Sequence, residues 1–172
     1  MGHRYRCFES RPDFGDMILG IPYVEFRVGL GAAPGILRFY RDALGAPAYL
    51  ETDANGQVGR VSIGRHQSLL FRETAEAPAP YDGHHLAIYV SNFSAPYAYL
   101  KGRGLISEEV RNHQFRFKDI VDPEDDGKKF TLEHEVRSLK HPMYHRPFVN
   151  RDAAQSQRAY HRGRDAFVPF ER

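Results

Sequence analysis

A chain of 172 residues with 41% hydrophobic and 13% aromatic content suffices for one domain, or for two small repeats sharing a core. No stretch approaches the roughly 18 apolar residues of a membrane span, and Met1 to Glu9 mixes charges with aromatics where a secretory leader would have an apolar centre. The one cysteine, Cys7, excludes an internal disulfide and points to a reducing compartment, so the expectation is a cytoplasmic protein without membrane contact.

The net charge of +2 hides an asymmetry: from Arg137 to Arg172, eight Lys and Arg stand against three Asp and Glu. A basic extension of this kind can meet nucleic acid, an anionic substrate or a neighbouring subunit, or can simply be solvated. No stacking motif or recognised module accompanies it, which counts against nucleic acid.

After an N-terminal extension over residues 1–20, the first strand candidate is Ile21 to Val28. A glycine turn leads into a helical pattern in which Ile36, Leu37, Phe39, Tyr40, Ala43 and Leu44 recur at helical spacing. Pro34 suits its first turn and Gly45 the position past its end. Short strands are expected at Ala48 to Glu51, Gly59 to Ile63 and Ser68 to Arg72, with Asn55-Gly56 as a turn signal between the first two. Pro78-Ala79-Pro80 breaks the chain. The order then recurs. His84 to Val90 reads as a strand, Asn92 or Ser94 can cap a helix carrying Tyr97 and Leu100, and Phe115 to Ile120 and Phe130 to Val136 read as strands around the Asp122–Gly127 turn. The alternation of Tyr23 to Val28 matches that of His85 to Val90, and each is followed by an amphipathic helix ending in glycine. A repeat of about 60 residues in two copies indicates a duplicated module over residues 21–76 and 83–137, with 138–172 as an irregular basic extension.

Three stretches carry a family resemblance. Leu37-Arg38-Phe39-Tyr40-Arg41-Asp42-Ala43-Leu44-Gly45 behind the first strand, Gly83-His84-His85-Leu86-Ala87-Ile88-Tyr89-Val90, and Asp122-Pro123 with Gly127 ahead of Phe130 to Glu135 resemble the vicinal oxygen chelate superfamily. This superfamily groups the glyoxalase, bleomycin-resistance and extradiol dioxygenase proteins. The segment from Leu132 through His141, Tyr144, Arg146 and Asn150-Arg151 resembles the tail of an uncharacterised subgroup, and Gly2 to Glu9 resembles the closing strand of a further module. The resemblance implies an α+β fold of two βαβββ modules whose sheets curl around one cleft, often with a divalent metal (Fe, Zn, Mn or Ni) bound by residues of several strands.

Carried over position by position, His85 falls on the second module's histidine ligand. Tyr23 stands at the first-strand ligand position, and Glu25 lies two residues on, on the same face. Thr131 stands where the closing glutamate is expected; Glu133 lies one pleat further, while a one-residue slip would bring in His134 instead. Ser68 and Leu70, flanked by Gln67 and Glu73, are nearest to the remaining position. The implied metal set is therefore His85, Glu133 and Glu25, with Tyr23 and His84 as candidate proton-transfer groups. Two functions stay open: a metal-dependent lyase, isomerase or dioxygenase acting on a small oxygenated molecule, and a metal-free protein that sequesters a small ligand. A mostly apolar cavity and a homodimer are expected in either case.

Overall fold

The structure is a computed structural model that describes residues 4–17, 20–110, 113–141, 143 and 144. The basic extension from residue 145 onward lies outside the described residues. Arg4 to Glu9 are exposed and form no strand, contrary to the resemblance read for Gly2 to Glu9; Gly2 and His3 lie outside the description. A 3-10 turn, Pro12–Phe14, follows this stretch.

The regular elements are β1 (Tyr23–Gly29), α1 (Ala33–Leu44), β2 (Ala48–Asp53), β3 (Gly56–Gly64), β4 (Gln67–Thr74), β5 (His85–Val90), α2 (Ser94–Gly102), β6 (Ile106–Val110), β7 (Gln114–Val121) and β8 (Lys128–Ser138). They form two four-stranded mixed sheets, ordered β1-β4-β3-β2 and β5-β8-β7-β6. Each is a βαβββ module in which first and last strands pair in parallel, from Tyr23 opposite Ser68 in one and from His85 opposite Glu133 in the other. The α+β duplication expected from the repeat is thus present. Among the described residues no helix is long and apolar enough to cross a membrane.

The described residues divide into two compact units, one up to Asp82 with Asp119–Thr131, the other from Gly83 to Lys118 with those from Leu132 on. In the first, α1 buries Ile36, Leu37, Phe39, Tyr40 and Ala43, the stripe its spacing announced. Its N-terminus is satisfied by β4, because the Ala33 N–H donates to the Glu73 carboxylate at 2.9 Å. Gly45 ends it in the left-handed region at φ 63°, and the Ala46 N–H returns to the Tyr40 carbonyl at 3.1 Å. Tyr40 is fully buried against Phe71, which also meets Phe26 and Phe130; burial pushes its phenol well above the ordinary range. Asp122 closes this core. It is 1% exposed and takes a bidentate pair from Arg38 at 2.9 and 2.6 Å, which holds its carboxyl down at about 2 against the opposing effect of burial. Gly35 is required beside it: a Cβ there would lie 2.5 Å from the Asp122 Oδ2.

In the second unit Leu100 of α2 is fully buried, and Phe93 and Tyr97 pack on Phe115. Asn92 supplies the cap, accepting the Ala95 N–H at 3.3 Å. Strand β6 escaped the sequence reading. Its residues, Ile-Ser-Glu-Glu-Val, show almost no alternation of burial because it is an exposed edge strand.

Candidate ligand face of the second sheet

Side chains alternate along strands, so the second sheet has two distinct faces. Phe115, Phe117, Leu132, His134, Val136 and Ile88 share the face on which Phe93 and Tyr97 pack, and all are buried. His134 lies flat on Phe117 with ring centroids 4.3 Å apart, and its Nδ1–H donates to the Leu132 carbonyl at 2.7 Å. Burial pushes this imidazole down to about 4. The slip that would have brought His134 to the ligand face does not occur, because His85 pairs with Glu133 and Leu86 with His134.

The opposite face therefore carries His85, Ala87 and Tyr89 from β5, Glu133, Glu135 and Arg137 from β8, and Gln114, Arg116 and Lys118 from β7. Its carboxylates are occupied. Glu133, 12% exposed, meets Arg116 Nη1 at 2.8 Å and Lys118 Nζ at 3.3 Å. Burial opposes its ionisation, but Lys118 and Arg116 outweigh that and hold the carboxyl below its ordinary range. Glu135, 6% exposed, is bonded by Arg116 through one oxygen and by Arg137 through the other. Arg137 extends the network to Gln114 Oε1 and the Tyr89 hydroxyl, both at 3.1 Å. The chain leaving β8 turns so that Tyr144 and His141 pack on Tyr89, at 5.2 and 6.4 Å between centroids. His141 Nδ1 accepts the Met143 N–H, and burial, then Arg137, lower its pKa.

The remaining sequence candidates have settings of their own. His84 is half-buried just before β5, whereas His85 is exposed. Tyr23 and Glu25 belong to the first unit. Tyr23 is half-buried opposite Ser68, and Glu25 is bonded by Arg72 at 3.2 Å, an arginine that also grips Asp53 with two bonds. Leu70 pairs with Glu25, Gln67 donates to the Ile21 carbonyl, and the Thr131 hydroxyl donates to Asp119 at 3.3 Å. Among the described residues no three of His, Cys, Asp and Glu come together so as to hold a metal. The donor chemistry agrees: the carboxylate beside His85 already carries two cations, which would repel a third charge of the same sign. The residues present do not fit a resident dication.

Arg116, Arg137 and Tyr89 did not figure among the sequence candidates. The signal was the run Gln114-Phe115-Arg116-Phe117-Lys118, whose strict alternation separates a polar face from an aromatic one. Two shallow concavities of the second unit lie elsewhere. One, of about 300 Å³, is bounded by Lys101, Ile106 and Glu109; the other, of about 250 Å³, by Phe93, Tyr97 and His113. Neither includes His85 or Glu133.

No family model matches this sequence, and no curated protein does. Solved structures do. A Bacillus anthracis protein assigned to the glyoxalase family superposes with a TM-score of 0.51 at 20% identity, over 72% of this chain and 97% of its own. An antibiotic binding protein from Streptomyces sp. CB03234 reaches 0.48 at 18% identity, over 70% and 96%. A mutant fosfomycin resistance protein from Listeria monocytogenes, solved with Mn(II) and dihydroxypropylphosphonic acid, reaches 0.48 at 13% identity, over 70% and 93%. At these identities the likeness concerns the fold.

Proposed function

We propose that this chain, which has the vicinal oxygen chelate fold, is a small-molecule-binding protein that takes its ligand on the polar face of the second sheet without a metal. The observation that carries this reading is the state of the carboxylates. Glu133 is 12% and Glu135 6% exposed, and each is held by two cations, so they serve as anchors of a rigid surface rather than as open metal ligands. The same face offers His85 as an exposed donor or acceptor, and Tyr89, His141 and Tyr144 as aromatic surface beside the Arg137 guanidinium. Ligand oxygens and rings suit such a face. A homodimer belongs to this reading, and sedimentation of the full chain at two concentrations tests it.

The chain has ten tyrosines and no tryptophan, and Tyr89 with Tyr144 packed on it lies at this face, so the change in tyrosine emission that Tyr89→Ala removes reports on it. A panel of small oxygenated organic compounds should include one that quenches that emission saturably. Tyr89→Ala and His85→Ala should each weaken that binding about tenfold, as loss of one good contact does. Binding that both variants leave untouched would place the ligand elsewhere.

One observation favours the alternative, a metal-dependent enzyme in which His85, Glu133 and Glu25 are ligands and Tyr23 and His84 move protons. His85 and Glu133 lie in register on adjacent strands. That reading requires turnover of a small oxygenated substrate that a chelator abolishes and Fe, Zn, Mn or Ni restores.

A further inference from the structure

The arrangement around Arg116 goes further than metal-free binding. Its guanidinium reaches three carboxylates at once: Glu108 from Nε at 3.3 Å, Glu133 from Nη1 at 2.8 Å, and Glu135 from Nη2. Glu135 is 6% exposed and Glu133 12%, and a carboxylate so enclosed is strongly disfavoured without a cation. Across the face, Glu108, Glu133 and Glu135 stand against Arg116, Lys118 and Arg137, three negative charges against three positive. The face is neutral as it stands, and a dication would leave it with a net charge of two. His85, in register with Glu133, is the neutral donor that would complete a metal's coordination if the cations were absent.

We infer that Arg116, assisted by Lys118, is an internal substitute for a divalent cation: it gathers the carboxylates of this face and occupies their lone pairs. The inference rests on the metal-free reading above and adds a cause to it. The sheet keeps carboxylate and imidazole donors in register, and it is the guanidinium and the ammonium that exclude the metal. Removing those two side chains should therefore create a metal site where the native chain has none.

The experiment is a titration of the full-length chain with Mn2+ alone, followed by the loss of the free-ion spin-resonance signal. The native chain should bind weakly. Arg116→Met with Lys118→Met should bind at least about tenfold more tightly, because two positive charges within a few ångströms of the dication are gone. Adding His85→Ala or Glu133→Gln should cancel that gain. Tight stoichiometric binding by the native chain overturns both this inference and the metal-free reading. A folded double variant that binds no better than a weakly binding native chain overturns only the inference, as does a gain that survives both added substitutions. Should the double variant not fold, the same point is read from stability. Arg116→Met should lower the urea midpoint far less in a Glu133→Gln, Glu135→Gln background than in the native one. An equal loss, or failure to fold in both backgrounds, overturns the role assigned to Arg116.

Discussion

The two modules share one topology and differ in where they keep their charges. In the first, the carboxylates paired with the sheet's arginines lie toward solvent: Glu51, held by Arg60, is 41% exposed and Asp53, held by Arg72, is 45% exposed. The buried carboxylate that locks α1, Asp122, comes from the turn between β7 and β8 and belongs to the same compact unit as α1. In the second, the carboxylates of β8 are enclosed within the sheet face itself, Glu133 at 12% and Glu135 at 6% exposed. The same βαβββ frame thus carries half-exposed carboxylates on one sheet and enclosed ones on the other. The strand order is common to both copies, while the buried helix face and the charged positions differ. Function is accordingly sought where polar groups are buried at a cost that packing alone does not require.

The sharpest way to test this contrast is to remove one arginine from each sheet. Arg137→Ala strips Glu135 of one of its two cations and leaves Tyr89 and Gln114 without their donor, and should cost about 3–5 kcal/mol in urea unfolding. Arg72→Ala, in the more exposed pair, should cost about 1 kcal/mol or less. Equal losses would erase the distinction.

Acid should also separate the two compact units. His134 is held neutral in the fold, with its pKa at about 4 against an ordinary 6.5. The unfolded chain binds the extra proton first, so this contribution is complete above pH 6.5 and declines as pH falls to 4, by about 3 kcal/mol. His134→Phe should remove that slope from the stability–pH profile, and an unchanged slope would mean that His134 is not its source. Asp122 has the opposite protonation logic with the same direction of loss. Its carboxyl lies at about 2 against 3.8, so its contribution is present above pH 3.8 and fades as pH falls toward 2. Asp122→Asn should cost about 2 kcal/mol at neutral pH and flatten the profile only in that lower window. The smallest effect belongs to Glu25→Gln, which loosens one of the contacts of Arg72 and should change stability by about 0.5 kcal/mol or less. A loss of several kcal/mol there would show that the first sheet's ion pairs are not peripheral.

The architecture was legible because it is written in periodicity. The α1 stripe, the glycine past its end and the matching alternation of Tyr23 to Val28 and His85 to Val90 need only local rules. The edge strand β6 was not legible, since Glu108 and Glu109 face solvent and leave no alternation to read. For the site, the sequence placed His85 and left Glu133 and His134 as alternatives, and the choice between them needed the register of two strands about 50 residues apart. Arg116 and Arg137 were invisible for a related reason. What distinguishes them is burial beside carboxylates on a neighbouring strand, and a linear reading treats an arginine as a solvated charge unless its partners are known.

Elemental analysis of the full-length native chain, expressed with Mn, Fe, Ni and Zn supplied and purified without chelators, tests the central claim most directly. The arginine-held face predicts metal far below one equivalent per chain, and the same low content in His85→Ala. One equivalent of a single metal in the native chain, lost in His85→Ala, would contradict it.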